Sequence, residues 1–400
     1  MAWTKQAVRV LIYMAAVMLI VTGCGRSESP HGDAPASAAS SAPVTSTPAQ
    51  PARGALYTYL TDTAFIAARG DTEVGRIAIA HPVTYPGLAA TADKGFIFVV
   101  ATPAADASSK TYETATVFAY NAKTGAPAAP IRCGCYRAYP ADGSAVVWWQ
   151  EPNTIMRADL AAPDRAPAVW RTVDLPPPAA EGPWTENWGG LSGPTILAAS
   201  PDRILLYRGR NSGGYALTEY VYSIDGDNTI KQYGSFSNSV IFAIPSPDGH
   251  SFALYSDEHV NNACKEGRVA TIDTDRGTAQ AITPFDVETG DKLCSFVSAP
   301  RWNATEGLSV TIKRYTAGTG KINPLPDSRW KYENSTWTQS TPDYVLDAIA
   351  LDAGRRLELA QGAQTEPNPA PTRDLYLVAA DGNRKLIASN VLGFNAAVPL

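Results

Sequence analysis

A chain of 400 residues, 45% of them hydrophobic, is long enough for one large all-β domain or two smaller domains. Its formal net charge of −5 provides no basic footprint, which argues against a nucleic-acid partner.

The first element is an export signal over residues 1–24. Lys5 and Arg9 form a basic start, and Val10 to Val21 is an unbroken apolar run. That run is short for a spanning helix, which needs roughly 20 residues. Val21-Thr22-Gly23-Cys24 follows and resembles the lipobox of bacterial lipoproteins. The resemblance covers this segment alone. It implies that Cys24 is thioether-linked to diacylglycerol and becomes the mature N-terminus, with two or more acyl chains, palmitate among them, anchoring the protein to the extracytoplasmic side of a membrane. The plainer alternative is secretion with cleavage nearby.

Residues 25–53 read as a disordered Ala/Ser/Pro linker. Val44 is the one large aliphatic residue there, so the stretch cannot bury enough apolar surface to fold.

From Ala55 onward the pattern is β. Val240 to Ser256 is its clearest unit: two apolar runs around Ser246-Pro247-Asp248-Gly249, where Asp-Gly supplies the positive φ of a tight hairpin. Weaker copies of the turn occur at Thr91–Gly95, Pro140–Gly143, Ser200–Asp202, Asn303–Gly307 and Leu351–Gly354. Their spacing of ~50 residues falls in the range of propeller blades. A second hairpin follows most of them, as in 117–131, 220–233, 269–282 and 375–389. Each repeat therefore reads as four strands, A to D. Six repeats start near 86, 134, 194, 239, 296 and 344. Ala55–Ala80 supplies strands B, C and D of another, and Val391–Leu400 supplies its strand A. The expectation is an all-β β-propeller over 55–400, with seven four-stranded blades closed by N- and C-terminal strands.

The S-P-D-G turn followed by an apolar strand resembles the PD40, or WD40-like, repeat of TolB-type β-propellers. The resemblance spans 55–400 in outline, and Ser246–Gly249 alone matches the turn in full. The motif is structural and implies a fold rather than an activity.

Propeller order places A–B and C–D turns on one side of the disc and B–C and D–A connections on the other. The long connections are Pro103–Glu113, Pro176–Gly193, Asp257–Glu266, Pro284–Ser295, Tyr315–Arg329 and Gln361–Thr372, all of the second kind, so one face is expected to carry the loops. Trp184 and Trp188 lie in the longest of them, and Trp330 and Trp337 flank another irregular stretch. Such rings either bind a glycan or protein partner or pin their own loops.

Export permits disulfides. Cys264 and Cys294 fall on the loop-rich face beside one blade and are expected to pair. Cys133 and Cys135 either form a small ring or stay as two thiols. In an extended strand such positions lie about 6.6 Å apart, near the upper limit for a bridge.

No catalytic, metal or cofactor motif emerges. Arg69-Gly70-Asp71 and Lys123-Thr124-Gly125 fit hairpin turns, and Asp225–Asn228 lacks the spacing of a calcium loop. The leading expectation is a membrane-anchored envelope lipoprotein that binds a protein or glycan without catalysis. The alternatives are a hydrolase or lyase using carboxylates at the propeller channel on carbohydrate or a lactone, and a passive structural subunit.

Overall fold

The computed structural model describes residues 54–82, 88–106, 112–176, 194–211, 217–237, 240–261, 264–282, 293–303, 307–318, 321–362 and 373–397. The chain divides into Met1–Gln50 and Pro51–Leu400, and all described residues belong to the second unit. The export signal, Cys24, the 25–53 linker, Trp184 and Trp188 lie outside the described residues.

Strands β1 (Leu56–Leu60), β2 (Ala64–Arg69) and β3 (Thr72–Pro82) open the unit. Next come β4 (Ala89–Ala90), β5 (Phe96–Pro103), β6 (Thr116–Asn121) and β7 (Ile131–Arg132). A third group is β8 (Tyr139–Pro140), β9 (Ala145–Gln150), β10 (Thr154–Asp159) and β11 (Ala168–Thr172). A fourth is β12 (Thr195–Ala199), β13 (Ile204–Asn211), β14 (Leu217–Ile224) and β15 (Ile230–Ser237). A fifth is β16 (Val240–Pro245), β17 (Ser251–Asn261), β18 (Cys264–Asp273) and β19 (Thr278–Ala281). A sixth is β20 (Leu293–Asn303), β21 (Gly307–Gly318), β22 (Lys321–Pro324), β23 (Ser328–Glu333) and β24 (Thr336–Gln339). The chain ends with β25 (Val345–Ala350), β26 (Arg356–Gln361), β27 (Arg373–Val378), β28 (Arg384–Ala388) and β29 (Gly393–Ala397).

Within each group the strands pair antiparallel in chain order, except that β22 pairs β21 beside the β20-β21-β23-β24 path and β29 leaves its group. The last strand returns to the first: β29 pairs with β1 from Leu56↔Ala397 to Leu60↔Gly393. The ends of the unit are thereby joined by main-chain hydrogen bonds, and the edges that an open ring would expose are removed. The described strands make six sheets. One of them has eight strands, because the end of β3 also pairs with the end of β5, as in His81↔Thr102.

The turns explain why the repeats recur. At 246–251 the Ser246 hydroxyl donates to Asp248 and accepts from the Ser251 N–H at 2.9 Å, while Asp248 accepts the His250 N–H at 3.0 Å. Thr91 and Asp93 repeat this pattern toward Gly95 and Phe96. A short hydroxyl and a carboxylate two residues apart thus satisfy the orphan donors of a hairpin turn. Gly249, at φ 75°, takes the left-handed position the turn needs. Neighbouring turns also bond to each other, Asp93 N–H to the Gly143 carbonyl at 3.1 Å and Ser200 Oγ to the Gly249 carbonyl at 3.1 Å.

The core lies between groups rather than at one centre. Apolar clusters join β1–β3 to β5–β6, the second group to the third, the third to the fourth, the fourth to the fifth, the fifth to the sixth, and β25–β28 to β1, β2 and the end of the chain. Trp148 is fully buried in one of them, and Trp149 and Trp170 pack on another. At the junction of the sixth group with β25–β28 the contacts are instead polar, between Arg301, Arg329 and Asp347.

Two of the expected loops prove to be strand. Asp257–Glu266 continues the β17–β18 hairpin, with pairing as far as Asn261↔Cys264. In Tyr315–Arg329, β21 runs on to Gly318 and turns back as β22, with pairing from Tyr315↔Pro324 to Gly318↔Lys321. Polar composition suggested loops, but backbone groups in a tight hairpin satisfy one another whatever the side chains.

Candidate functional site

The first strand of every four-stranded run faces one cavity of about 380 Å³. Ala89 of β4, Tyr139 of β8, Ala198 of β12, Phe242 of β16, Ser298 of β20, Asp347 of β25 and Phe394 of β29 all line it. Seven strands spread along the whole unit can share one cavity only if the sheets stand radially about an axis. This is the channel of a β-propeller.

Most of the wall is apolar. Its charged side chains are chiefly basic: Arg137, Arg301, Lys313 and Arg373 line it. Asp347 is the one carboxylate among the described lining residues, and it is already engaged. Arg301 Nε lies 2.8 Å from Asp347 Oδ2, and Arg329 Nη1 lies 2.8 Å from Oδ1. Arg329 is 3% exposed and also donates to Ser309 Oγ at 2.8 Å and to the Ala299 carbonyl at 3.1 Å. Arg301 donates to the Phe394 carbonyl at 3.0 Å, tying the last strand to the same cluster. Thr311 Oγ1 donates to the Leu346 carbonyl across the same junction.

The other cations have their own supports. The Arg137 guanidinium lies 4.2 Å from the centroid of the Phe242 ring, a cation–π distance. Arg373 is half-buried, and loss of hydration pushes its pKa below the ordinary arginine value while leaving it charged at neutral pH. Burial pushes the Tyr139 phenol up to about 12, so it stays protonated and donates to the Ile196 carbonyl at 2.5 Å.

Strand direction places these groups along the channel. In an antiparallel meander the starts of the first and third strands, and the end of the second, share one rim. Arg137 precedes β8, Arg373 opens β27, and Lys313 sits in the second half of β21. All three lie toward the rim that carries the long connections, opposite the hydroxyl–aspartate turns.

Two of the four expected binding tryptophans are described, and neither stands in a free loop. Trp330 is in β23 and Trp337 in β24. Both are half-buried against the cluster between the fifth and sixth groups. The Trp330 indole donates to Ser328 Oγ at 2.9 Å and the Trp337 indole to the Ile282 carbonyl at 2.6 Å. The strands fall where the sequence places the third and fourth strands of that repeat, near Trp330 to Thr338, and their aromatic face meets the neighbouring sheet.

Cys133 and Cys135 are bridged, with Cα atoms 5.1 Å apart. The chain comes closer than an extended strand would because Gly134 turns it at φ 57°. Cys294 is disulfide-bonded, and the side chain of its expected partner Cys264, the first residue of β18, lies outside the described residues.

The channel residues went unnoticed in the sequence, yet a signal existed. Arg301-Trp302 and Arg329-Trp330 are two Arg-Trp steps on β20 and β23, the two strands that flank β21 in one sheet. Period-two alternation sends the tryptophans to one face and the arginines to the other.

No family profile matches the chain, and no curated protein sequence matches it. Solved structures of similar shape exist. Oligogalacturonate lyase from Vibrio parahaemolyticus is 13% identical, covering 84% of this chain and 86% of its own at a TM-score of 0.47. The β-propeller domain of the Trilobed protease from Pyrococcus furiosus is 11% identical, covering 84% and 95% at 0.47. BamB from Moraxella catarrhalis is 12% identical, covering 82% and 93% at 0.33. These likenesses are weak, and the propeller assignment here rests on the meander order, the β1–β29 closure and the shared channel.

Proposed function

We propose that this chain is an exported lipoprotein, anchored through Cys24 and spaced from the membrane by residues 25–53, whose propeller serves as a binding scaffold without catalysis. The TolB-type character of its repeats and the division into seven blades belong to the same reading, as does a Cys264–Cys294 bridge, which a non-reducing peptide map would identify. The observation that carries the binding role is the channel: inner strands from every part of the unit converge on one apolar cavity with basic side chains. Concave, largely apolar sites with a few placed polar groups are where small ligands bind. A hydrolase or lyase working there by general acid–base chemistry needs a free carboxylate, and the described lining residues offer Asp347 alone, held by two arginines.

The test is capture from native membranes with three baits: the wild type, Ser298→Trp to fill the channel, and Trp184→Ala/Trp188→Ala on the loop-rich face. Circular dichroism melts check that each is folded. Loss of a bound molecule from the first variant locates binding in the channel, and loss from the second locates it on the loop face. The same catch from all three, or none, overturns the scaffold reading in favour of a passive spacer, and conversion of the captured molecule overturns the non-catalytic part.

A further inference from the structure

A reactive group outside the channel is the bridge between Cys133 and Cys135, in the connection from β7 to β8. As a staple it is weak. A cross-link stabilises mainly by closing a loop of the unfolded chain, and the gain grows with the length of that loop. Here the two cysteines are only 2 positions apart, so the unfolded chain loses little freedom. The folded loop also has supports of its own. The Cys133 and Gly134 N–H groups both donate to the Ala115 carbonyl at 3.0 Å, and β7 pairs with β6 at Thr116↔Arg132 and Val117↔Ile131. Gly134, at φ 57°, holds its left-handed turn without steric cost whether or not the sulfurs are joined. Opening the bridge therefore leaves the loop in place, with both sulfurs positioned to close again.

The two cysteines differ in access. Cys133 is half-buried and sits between Arg132 and Gly134, both exposed. Cys135 is 2% exposed and packs into the apolar cluster that holds Trp148. Among the described residues, a Cβ built on Gly134 would meet nothing nearer than the Glu113 carbonyl at 3.8 Å, so an approaching chain has room on that side. Exchange requires that a thiolate reach one sulfur of a disulfide, and accessible bridges are the labile ones.

We propose that Cys133–Cys135 is a thiol–disulfide exchange site whose substrate is a dithiol, two cysteines close together on a client chain. A client thiolate attacks Cys133 Sγ, the bond to Cys135 breaks, and Cys135 leaves as a thiolate that takes up a proton. The second client thiol then gives up its proton and attacks the client sulfur of the mixed disulfide, and Cys133 leaves and is protonated in turn. The client loses two electrons and two protons as its own disulfide forms, and the bridge gains them as a dithiol. Burial shelters Cys135 from other thiols, so it acts as the internal thiol that can release a mixed disulfide from Cys133. The exchange is stoichiometric and lies apart from the channel, so it stands or falls independently of the ligand-binding reading.

The experiment equilibrates the full-length protein in glutathione redox buffers of rising reducing power, quenches with acid, alkylates the free thiols and maps them by mass. Cys294, which is also disulfide-bonded, is the internal reference. Reduction of Cys133–Cys135 is expected to be at least about tenfold more favourable than that of the Cys294 bridge. Its opening is expected to move the melting midpoint by less than about 4 °C. Equimolar dithiothreitol, the dithiol probe, is expected to end as its cyclic disulfide, with the new thiols at Cys133 and Cys135. Trapping with glutathione disulfide reads the asymmetry in two variants whose folding is checked by circular dichroism. Cys135→Ser is expected to form the mixed disulfide at Cys133 at least about tenfold faster than Cys133→Ser forms it at Cys135.

A Cys133–Cys135 bridge that opens no more readily than the Cys294 bridge overturns the proposal. So does loss of the folded state when it opens, which would make it a staple. Equal trapping at the two cysteines in folded protein overturns the division of roles on which the exchange depends.

Discussion

The sheet built from β20 to β24 has two unlike flanks. Toward the fifth group it presents Val297, Trp302, Val310, Trp330 and Trp337, packed into a shared apolar cluster. Toward β25 it presents Arg301 and Arg329, which hold Asp347, Ser309, which accepts from Arg329, and Thr311, which donates to the Leu346 carbonyl. One set of strands serves both because successive side chains alternate. The apolar flank gains stability from removing surface from water, roughly 25 cal/mol per Å². The charged flank gains little net stability, since taking ions out of water costs about what their attraction returns. A junction of that kind, placed where a channel meets it, is better explained by the charge it presents than by the strength it adds.

The largest expected effect comes from breaking the charged flank on one side only. Asp347→Ala takes from Arg329, 3% exposed, the carboxylate 2.8 Å from its Nη1. A loss of ~3–5 kcal/mol in urea-induced unfolding is expected. A loss below ~1 kcal/mol would mean that water reaches the arginines, and the contrast between the flanks would fall.

Removing the charged flank as a whole sharpens the contrast. Arg301→Met/Arg329→Met/Asp347→Leu replaces all three ions with apolar groups of similar reach. Its stability is expected to match or exceed the wild type, by up to ~1–4 kcal/mol. Strong destabilisation of this folded triple variant would show that the ions hold the junction themselves.

On the apolar flank, Gly267 of β18 lets two sheets touch. A Cβ there would sit 2.4 Å from the Val297 backbone nitrogen on β20. Backbone cannot swing aside, so Gly267→Ala is expected to destabilise by ~1–3 kcal/mol, read from the same unfolding curves. An unchanged midpoint would mean that the fifth and sixth sheets are free to separate.

The smallest effect belongs to the turn rim. Ser246→Ala removes a hydroxyl that serves Asp248 and the Ser251 N–H, at an expected cost of ~1 kcal/mol. It also changes the acid limb. The Ser246 hydroxyl, and after it the His250 N–H, hold the Asp248 carboxyl below its ordinary value of 3.8. A depressed folded pKa gives stability that is present above the unfolded value and lost as the pH falls through the folded one. Thermal melts are therefore expected to drop below about pH 4 in the wild type, and less steeply in Ser246→Ala. Parallel acid limbs would remove that role from the turn.

Much of the fold was legible in the residues. Ser246-Pro247-Asp248-Gly249 and its weaker copies mark turns whose hydrogen bonds are made within five or six residues, so local sequence suffices. The apolar runs beside them alternate or stay apolar as buried strands do. The return of the final strand to Leu56–Leu60 followed from counting leftover strands. Where composition was polar, as in Asp257–Glu266 and Tyr315–Arg329, the reading gave loops, because main-chain pairing leaves no side-chain signature.

The sequence by itself determined the repeat, its turn chemistry and the four-strand order, each a matter of neighbours along the chain. Only the tertiary structure decided that Arg137, Lys313, Asp347 and Arg373 meet in one channel. Alternation tells which residues share a strand face, but which faces turn toward a common axis depends on every sheet taking its place in the ring at once.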